Sequence, residues 1–207
     1  PMNDKRSWTP VFVTVPLAAA LWFFCFYIEW GNFFEKISVS AAALALVALA
    51  LGPRPEKLDK KLDALVDGTG SAALLYIVFW VGNAVSRALF DFAPDQVGGI
   101  YDKGAGTPAW AIGLMLLFVT GPAEEIFWRG FLQRRLQEKL GGFTGLAVGV
   151  GLYGLVHVSS WNFMLVGAAL VAGAFWGLLY WKLGRLWPVI ISHSLWSAFI
   201  FAVAPIT

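Results

Sequence analysis

Uncharged stretches of bilayer length constrain this chain more than any other feature. From Val11 to Ile28 there is no Asp, Glu, Lys or Arg. Comparable apolar runs lie at Ile37–Leu51, Ser71–Phe90, Pro108–Trp128 or somewhat beyond, Gly145–His157, Asn162–Trp181 and Leu186–Ala204. About 20 apolar residues let a helix cross ~30 Å of hydrocarbon, where every backbone polar group must be satisfied within the segment. The pattern predicts an all-α fold, a polytopic helical bundle of seven transmembrane spans. The second and fifth spans are short, and the fourth is long enough to conceal an eighth.

Composition excludes the main alternatives. The chain is 58% hydrophobic and 14% charged, against roughly 25% charged in a soluble domain. A net charge of +2 gives no nucleic-acid footprint, and its basic residues gather at span ends. The single cysteine, Cys25, lies in an apolar run and reads as a small buried hydrophobe. Lys5 and Arg6 precede a run too long for a signal-peptide core, which predicts an uncleaved first span.

With the N-terminus placed in the cytoplasm, inside segments hold Lys5, Arg6, Arg54, Lys57, Lys60, Lys61, Arg134, Arg135, Lys139, Lys182 and Arg185. That is 11 of 15 basic residues, against Lys36 and Lys103 outside, with Arg87 and Arg129 in spans. Residues 55–67 put Leu58, Leu62, Leu65 and Val66 on one face and predict an amphipathic helix on the inner leaflet. The glycine-rich 91–107 segment reads as an irregular outer loop. Gly145/Gly149 and Ala169/Gly173/Gly177 space small residues for close helix packing. One membrane domain is expected, with three spans in residues 1–107 and a second helical portion in 108–207.

Within this hydrocarbon stands Gly121-Pro122-Ala123-Glu124-Glu125-Ile126-Phe127-Trp128-Arg129-Gly130. An ionisable group near mid-bilayer costs at least ~2.5–3.5 kcal/mol, so it marks function by default. Glu125 and Arg129, four apart, share a helical face and can pair. Glu124, rotated by ~100°, is left for chemistry. Both histidines of the chain, His157 and His193, also fall in apolar spans. At ~1.5 Å per residue, Glu124, His193 and His157 lie about 15, 12 and 18 Å from the inner edge, similar depths on three helices. They can share a cavity opening to the cytoplasmic side. A buried carboxylate beside imidazoles can take a proton from water and pass it to a leaving amine. No nucleophile elbow and no His-Glu-x-x-His is present, which points to water-attack peptide hydrolysis. A Glu/His/His set is also able in principle to ligate zinc.

Glu124-Glu125-x-x-x-Arg129, Tyr153-x-x-x-His157, and His193 with Ser197 four positions on resemble the three motifs of the CAAX-protease and bacteriocin-processing (Abi) family of intramembrane proteases. The resemblance covers about residues 108–204. It implies that Glu124 activates water with help from His157, that Glu125 and Arg129 shape the site as a buried pair, and that His193 orients water or stabilises the oxyanion. It implies a glutamate-type protease requiring no cofactor, with a zinc enzyme using Glu124, His157 and His193 as the alternative. The expected partners are the lipid bilayer and a membrane-tethered or hydrophobic peptide: a prenylated C-terminus, a leader peptide or a sorting signal. Tyr153 stands where Phe is usual, adding a hydroxyl. Ser197 stands where Asn is expected, and its hydroxyl is shorter, leaving Asn83 or Asn162 as possible substitutes. A catalytically inactive scaffold or immunity factor of the same fold is the rival that Ser197 favours. A proton-coupled transporter is disfavoured by the odd span number and the lack of an inverted repeat.

Overall fold

A computed structural model describes residues 7–52, 55, 58 and 60–207. The structure is 84% helical, with no strand among the described residues. Four helices come first: α1 (Thr9–Tyr27), α2 (Phe33–Leu51), α3 (Lys61–Leu89) and α4 (Ala93–Asp102). Then follow α5 (Ala109–Leu140), α6 (Gly142–Val156) with a 3-10 turn at Val158–Ser160, α7 (Phe163–Leu183) and α8 (Trp187–Ala202). Helices α1, α2, α3, α5, α6 and α7 are long and apolar enough to span a bilayer, and α8 is a shorter apolar helix. This is a multi-pass membrane protein.

Several expected boundaries move, each for a local reason. The second span begins at Phe33 because the Asn32 side chain caps it, accepting from the backbone N–H of Phe34 and Glu35. The fifth, with its 3-10 turn, reaches from Gly142 to Ser160. The third begins at Lys61 instead of Ser71, so residues 61–67 are its first turns and no separate surface helix exists there. Pro53, Arg54, Glu56, Lys57 and Asp59 lie outside the described residues, as do Lys5 and Arg6. The supposed irregular loop contains α4, whose Pro94 suits a helical first turn. The fourth span is one 32-residue helix with no eighth span inside it.

Polar contacts tie each end of the bundle together. At one end Lys139 lies over the Trp8 ring, Arg135 donates to the Leu51 carbonyl, and Arg185 pairs with Asp67 at 2.6 Å. This end also carries Lys60, Lys61, Arg134 and Lys182. At the other, Lys36 donates to the Ile28 carbonyl and Asn32 to Thr107. There too Asn162 donates to the Gln96 carbonyl, and Tyr101 accepts from the Ile206 N–H. Two larger apolar cores lie between the ends, with a smaller cluster of Phe34, Ile112 and Leu116. Trp22, Leu44, Phe127, Phe131 and Leu136 join α1, α2 and α5, and Tyr153 adds α6. Leu75, Trp176, Val189 and Trp196 join α3, α7 and α8. Helix α5 presents apolar residues to the first and polar ones toward the second.

Candidate active site

Pro122 shapes the segment that carries the carboxylates. It has no N–H and its ring crowds the carbonyl one turn back, so the α ladder cannot run through it unchanged. The preceding turn widens to a π-helix over Leu116–Thr120, with the Gly121 N–H bonded to the Leu116 carbonyl five residues earlier. A second π segment, Ile126–Gln133, ends with the Arg134 N–H reaching the Arg129 carbonyl. Glu124 and Glu125 occupy the short α stretch between them, a setting in which π-turns often accompany functional sites. Gly121 permits close contact with α8: a Cβ there would lie 2.5 Å from Ser194 Oγ.

The two carboxylates go to different partners. Glu125, fully buried, accepts at one oxygen from Arg129 Nη1 at 2.8 Å and from His193 Nδ1 at 2.6 Å. Arg129 also donates to the Gly173 carbonyl at 3.3 Å and lies over the rings of Tyr153 and Trp176. One turn on, Gln133 repeats the pattern, donating to the Gly177 carbonyl at 2.9 Å. Trp176 stacks on His193 with centroids 3.8 Å apart and donates from its indole N–H to Ser192. Together Arg129, His193 and Trp176 hold Glu125 in place. His193, its Nδ1–H spent on a carboxylate, keeps Nε2 for another partner.

Glu124 is buried too, but its protein hydrogen bond comes from a neutral donor, the Tyr153 hydroxyl at 2.9 Å from Oε2. The hydroxyl that distinguishes Tyr from Phe at this position is therefore an acid-holding group. His157 closes α6 just beyond. Its Nδ1 lies 2.7 Å from the Tyr153 carbonyl, and its Nε2 3.3 Å from the indole Nε1 of Trp22. A carbonyl only accepts and an indole N–H only donates, so this geometry requires a neutral ring protonated at Nδ1. No hydrogen bond joins His157 to either carboxylate; the Tyr153 ring meets it edge-on, with centroids 5.1 Å apart.

The structure thus gathers Glu124, Glu125, Arg129, Tyr153, His157 and His193. Ser197 is buried one turn beyond His193 on α8. Asn162 is not available as a substitute, because it caps α7 and donates to Gln96 at the bundle end. Asn83 on α3 leaves its Oδ1 without a partner. For zinc the arrangement fits poorly. Both nitrogens of His157 are engaged by protein groups, and among the described residues no three His, Cys, Asp or Glu side chains converge as a metal site. Sequence reasoning missed Trp22, Gln133 and Trp176. Gln133 could have been found, lying on the helical face of Glu125 and Arg129; the two tryptophans carry no such signal.

Comparison with known proteins gave one match. Residues 106–199 fit the family model described as type II CAAX prenyl endopeptidase Rce1-like. No curated protein and no solved structure matched significantly. The matched segment holds every site residue named above except Trp22 and the candidate Asn83.

Proposed function

We propose, from the fit of residues 106–199 to the CAAX prenyl endopeptidase family model, an intramembrane endopeptidase that hydrolyses a peptide bond of a membrane-associated substrate with a water activated by Glu124. The observation that carries the reading is the division of labour between adjacent carboxylates. Glu125 is held by a cation and an imidazole, and Glu124 by one hydroxyl. Glu124 takes a proton from water as the oxygen attacks the carbonyl, then gives that proton to the departing amine. His193, oriented by Glu125, uses Nε2 to position the water or to steady the negative oxygen of the tetrahedral intermediate. His157 acts through Tyr153, whose carbonyl accepts from its Nδ1 and whose hydroxyl holds Glu124, and the Ser197 hydroxyl lies one turn from His193. No step requires a metal, in keeping with the engaged nitrogens of His157.

The basic end of the bundle is cytoplasmic in this reading, with the N-terminus inside. His193 then stands six residues, about 9 Å, along α8 from that end, and substrate enters from the cytoplasmic side. A non-enzymatic scaffold of the same fold is the second reading, favoured by the full engagement of His157. The deciding experiment measures cleavage of a fluorogenic prenylated peptide and a panel of hydrophobic leader peptides by the purified protein in detergent. Wild type is compared with Glu124→Gln, each with and without a strong chelator. Activity lost in the variant and indifferent to chelator is the expected result. Chelator-sensitive activity restored by zinc would overturn the metal-free mechanism. A folded wild type silent on every peptide would favour the scaffold.

A further inference from the structure

We propose that Trp22 on α1, outside the segment that matches the family, is a positioning residue that fixes the tautomer of His157. The proposal rests on the protease reading only for its effect on rate. The indole is fully buried, and its N–H finds its acceptor in His157 Nε2 at 3.3 Å, across 135 residues of sequence. At the other ring nitrogen the Tyr153 carbonyl, 2.7 Å away, demands a donor. The two contacts specify the same protonation pattern from opposite sides of the ring: hydrogen on Nδ1, lone pair on Nε2.

Packing leaves Trp22 little freedom to leave that position. Its ring stands edge-on to Trp128 at 5.9 Å and 89°, and to His157 at 6.2 Å and 75°. Phe26, one turn on, covers His157 at 5.7 Å. Trp128 packs on Tyr153 at 5.1 Å, so the indole of α1 is keyed into the side chain that holds Glu124. Tyr153 on its own helix touches the ring, and Arg129 on α5 and His193 on α8 are the other ionisable groups whose charge reaches it. Neither Arg129 nor His193 is hydrogen-bonded to the ring, so among the described side chains Trp22 is the one that holds its Nε2 lone pair, reinforcing the Tyr153 carbonyl at Nδ1. In this role α1 contributes an element of the site that residues 106–199 do not contain.

The test uses full-length protein labelled with 15N-histidine in detergent micelles. Imidazole 15N shifts separate a protonated from an unprotonated ring nitrogen, and a His193→Gln sample assigns the two histidines. The expected wild-type signal for His157 is protonated Nδ1 and bare Nε2. Trp22→Phe, which keeps a ring and deletes the N–H, leaves the Tyr153 carbonyl alone to hold this pattern and should raise a minor Nε2-protonated population. On a cleavable peptide it should lower kcat about tenfold with KM unchanged, the scale of one lost hydrogen bond. Should Trp22→Phe fail to fold, 3-benzothienylalanine in place of Trp22 keeps the bicyclic shape and still deletes the donor. Trp22→Gln, which restores a donor, should recover part of the tautomer signal. An Nε2-protonated His157 in wild type, or a tautomer unchanged by loss of the indole N–H, would overturn the proposal. A tautomer shift in a protein that cleaves no peptide would instead leave the positioning role standing and count against the protease reading.

Discussion

Removing Arg129 alone should be far more damaging than removing Arg129 together with its partner. In Arg129→Met the 2.8 Å contact to a fully buried carboxylate disappears, along with the bond to the Gly173 carbonyl. Glu125 would be left in a helical bundle with only His193 as its hydrogen-bond partner. Breaking a buried pair in this way costs about 3–5 kcal/mol, because the surviving charge is uncompensated. For a chain of this size, roughly 2–4 °C of melting temperature per kcal/mol gives a fall on the order of 10 °C. In the double variant Glu125→Leu with Arg129→Met, hydrocarbon replaces both charges, a change that is often neutral in itself. The remaining loss is the acceptor for His193 Nδ1, about 1–3 kcal/mol. The double variant should therefore melt several degrees above Arg129→Met, although neither cleaves peptide. Thermal unfolding in one detergent at fixed pH, followed by tryptophan fluorescence, ranks the three proteins. A double variant melting at or below the single would refute the view of Glu125 and Arg129 as a mutually compensating pair.

Two further perturbations address the packing and the bundle end. A Cβ on Gly173 would lie 2.9 Å from Tyr153 Cδ1, whereas one on Gly167 meets nothing within 4 Å. Gly173→Ala should thus cost about 1–3 kcal/mol and pull the Tyr153 hydroxyl off Glu124, while Gly167→Ala should be neutral or slightly stabilising; thermal melts and peptide cleavage of the pair check this. Burial, with the nearby Lys36 charge as the smaller cause, holds the Lys103 ammonium below its usual range. The unfolded chain then binds that proton more tightly, so the destabilisation is full below the folded-state pKa and is relieved as pH rises toward 10.5. Lys103→Met should flatten the part of the melting-temperature rise between neutral pH and about 10 that this group supplies, and an identical rise in wild type and variant would show that the burial has no energetic effect.

Much of this architecture can be read from hydropathy, and the misreadings share a cause. Phe33–Lys36 and Lys61–Asp67 are helical turns bearing charges at the ends of spans, so a reading keyed to uncharged runs stops short of them. Helix α4 hides behind Gly98 and Gly99, which weaken a helix without preventing one anchored at Pro94. The Glu125–Arg129 contact follows from four-residue spacing and is found as expected. Which imidazole meets which carboxylate does not follow, because it depends on how α6 and α8 are rotated against α5. His193 reaches Glu125 rather than Glu124 through that rotation. Trp22 is illegible for a related reason: in a helix apolar on all sides, nothing in the residue pattern distinguishes an indole facing lipid from one facing a histidine.

The rungs from Arg129 to Gly173 and from Gln133 to Gly177 bear on how the chain enters the membrane. Helix α5 leaves the ribosome carrying Glu124, Glu125, Arg129 and Gln133, and each central charge opposes partition by at least ~2.5–3.5 kcal/mol. Glu125 and Arg129 can pair within α5 itself, but the remaining partners of these four groups arrive later, on α6, α7 and α8. Until translation has passed residue 193, α5 is a reluctant occupant of the bilayer. Its integration is thus bound to the completion of the C-terminal helices, and a nascent chain stopped in the α6–α7 turn should hold α5 accessible to water.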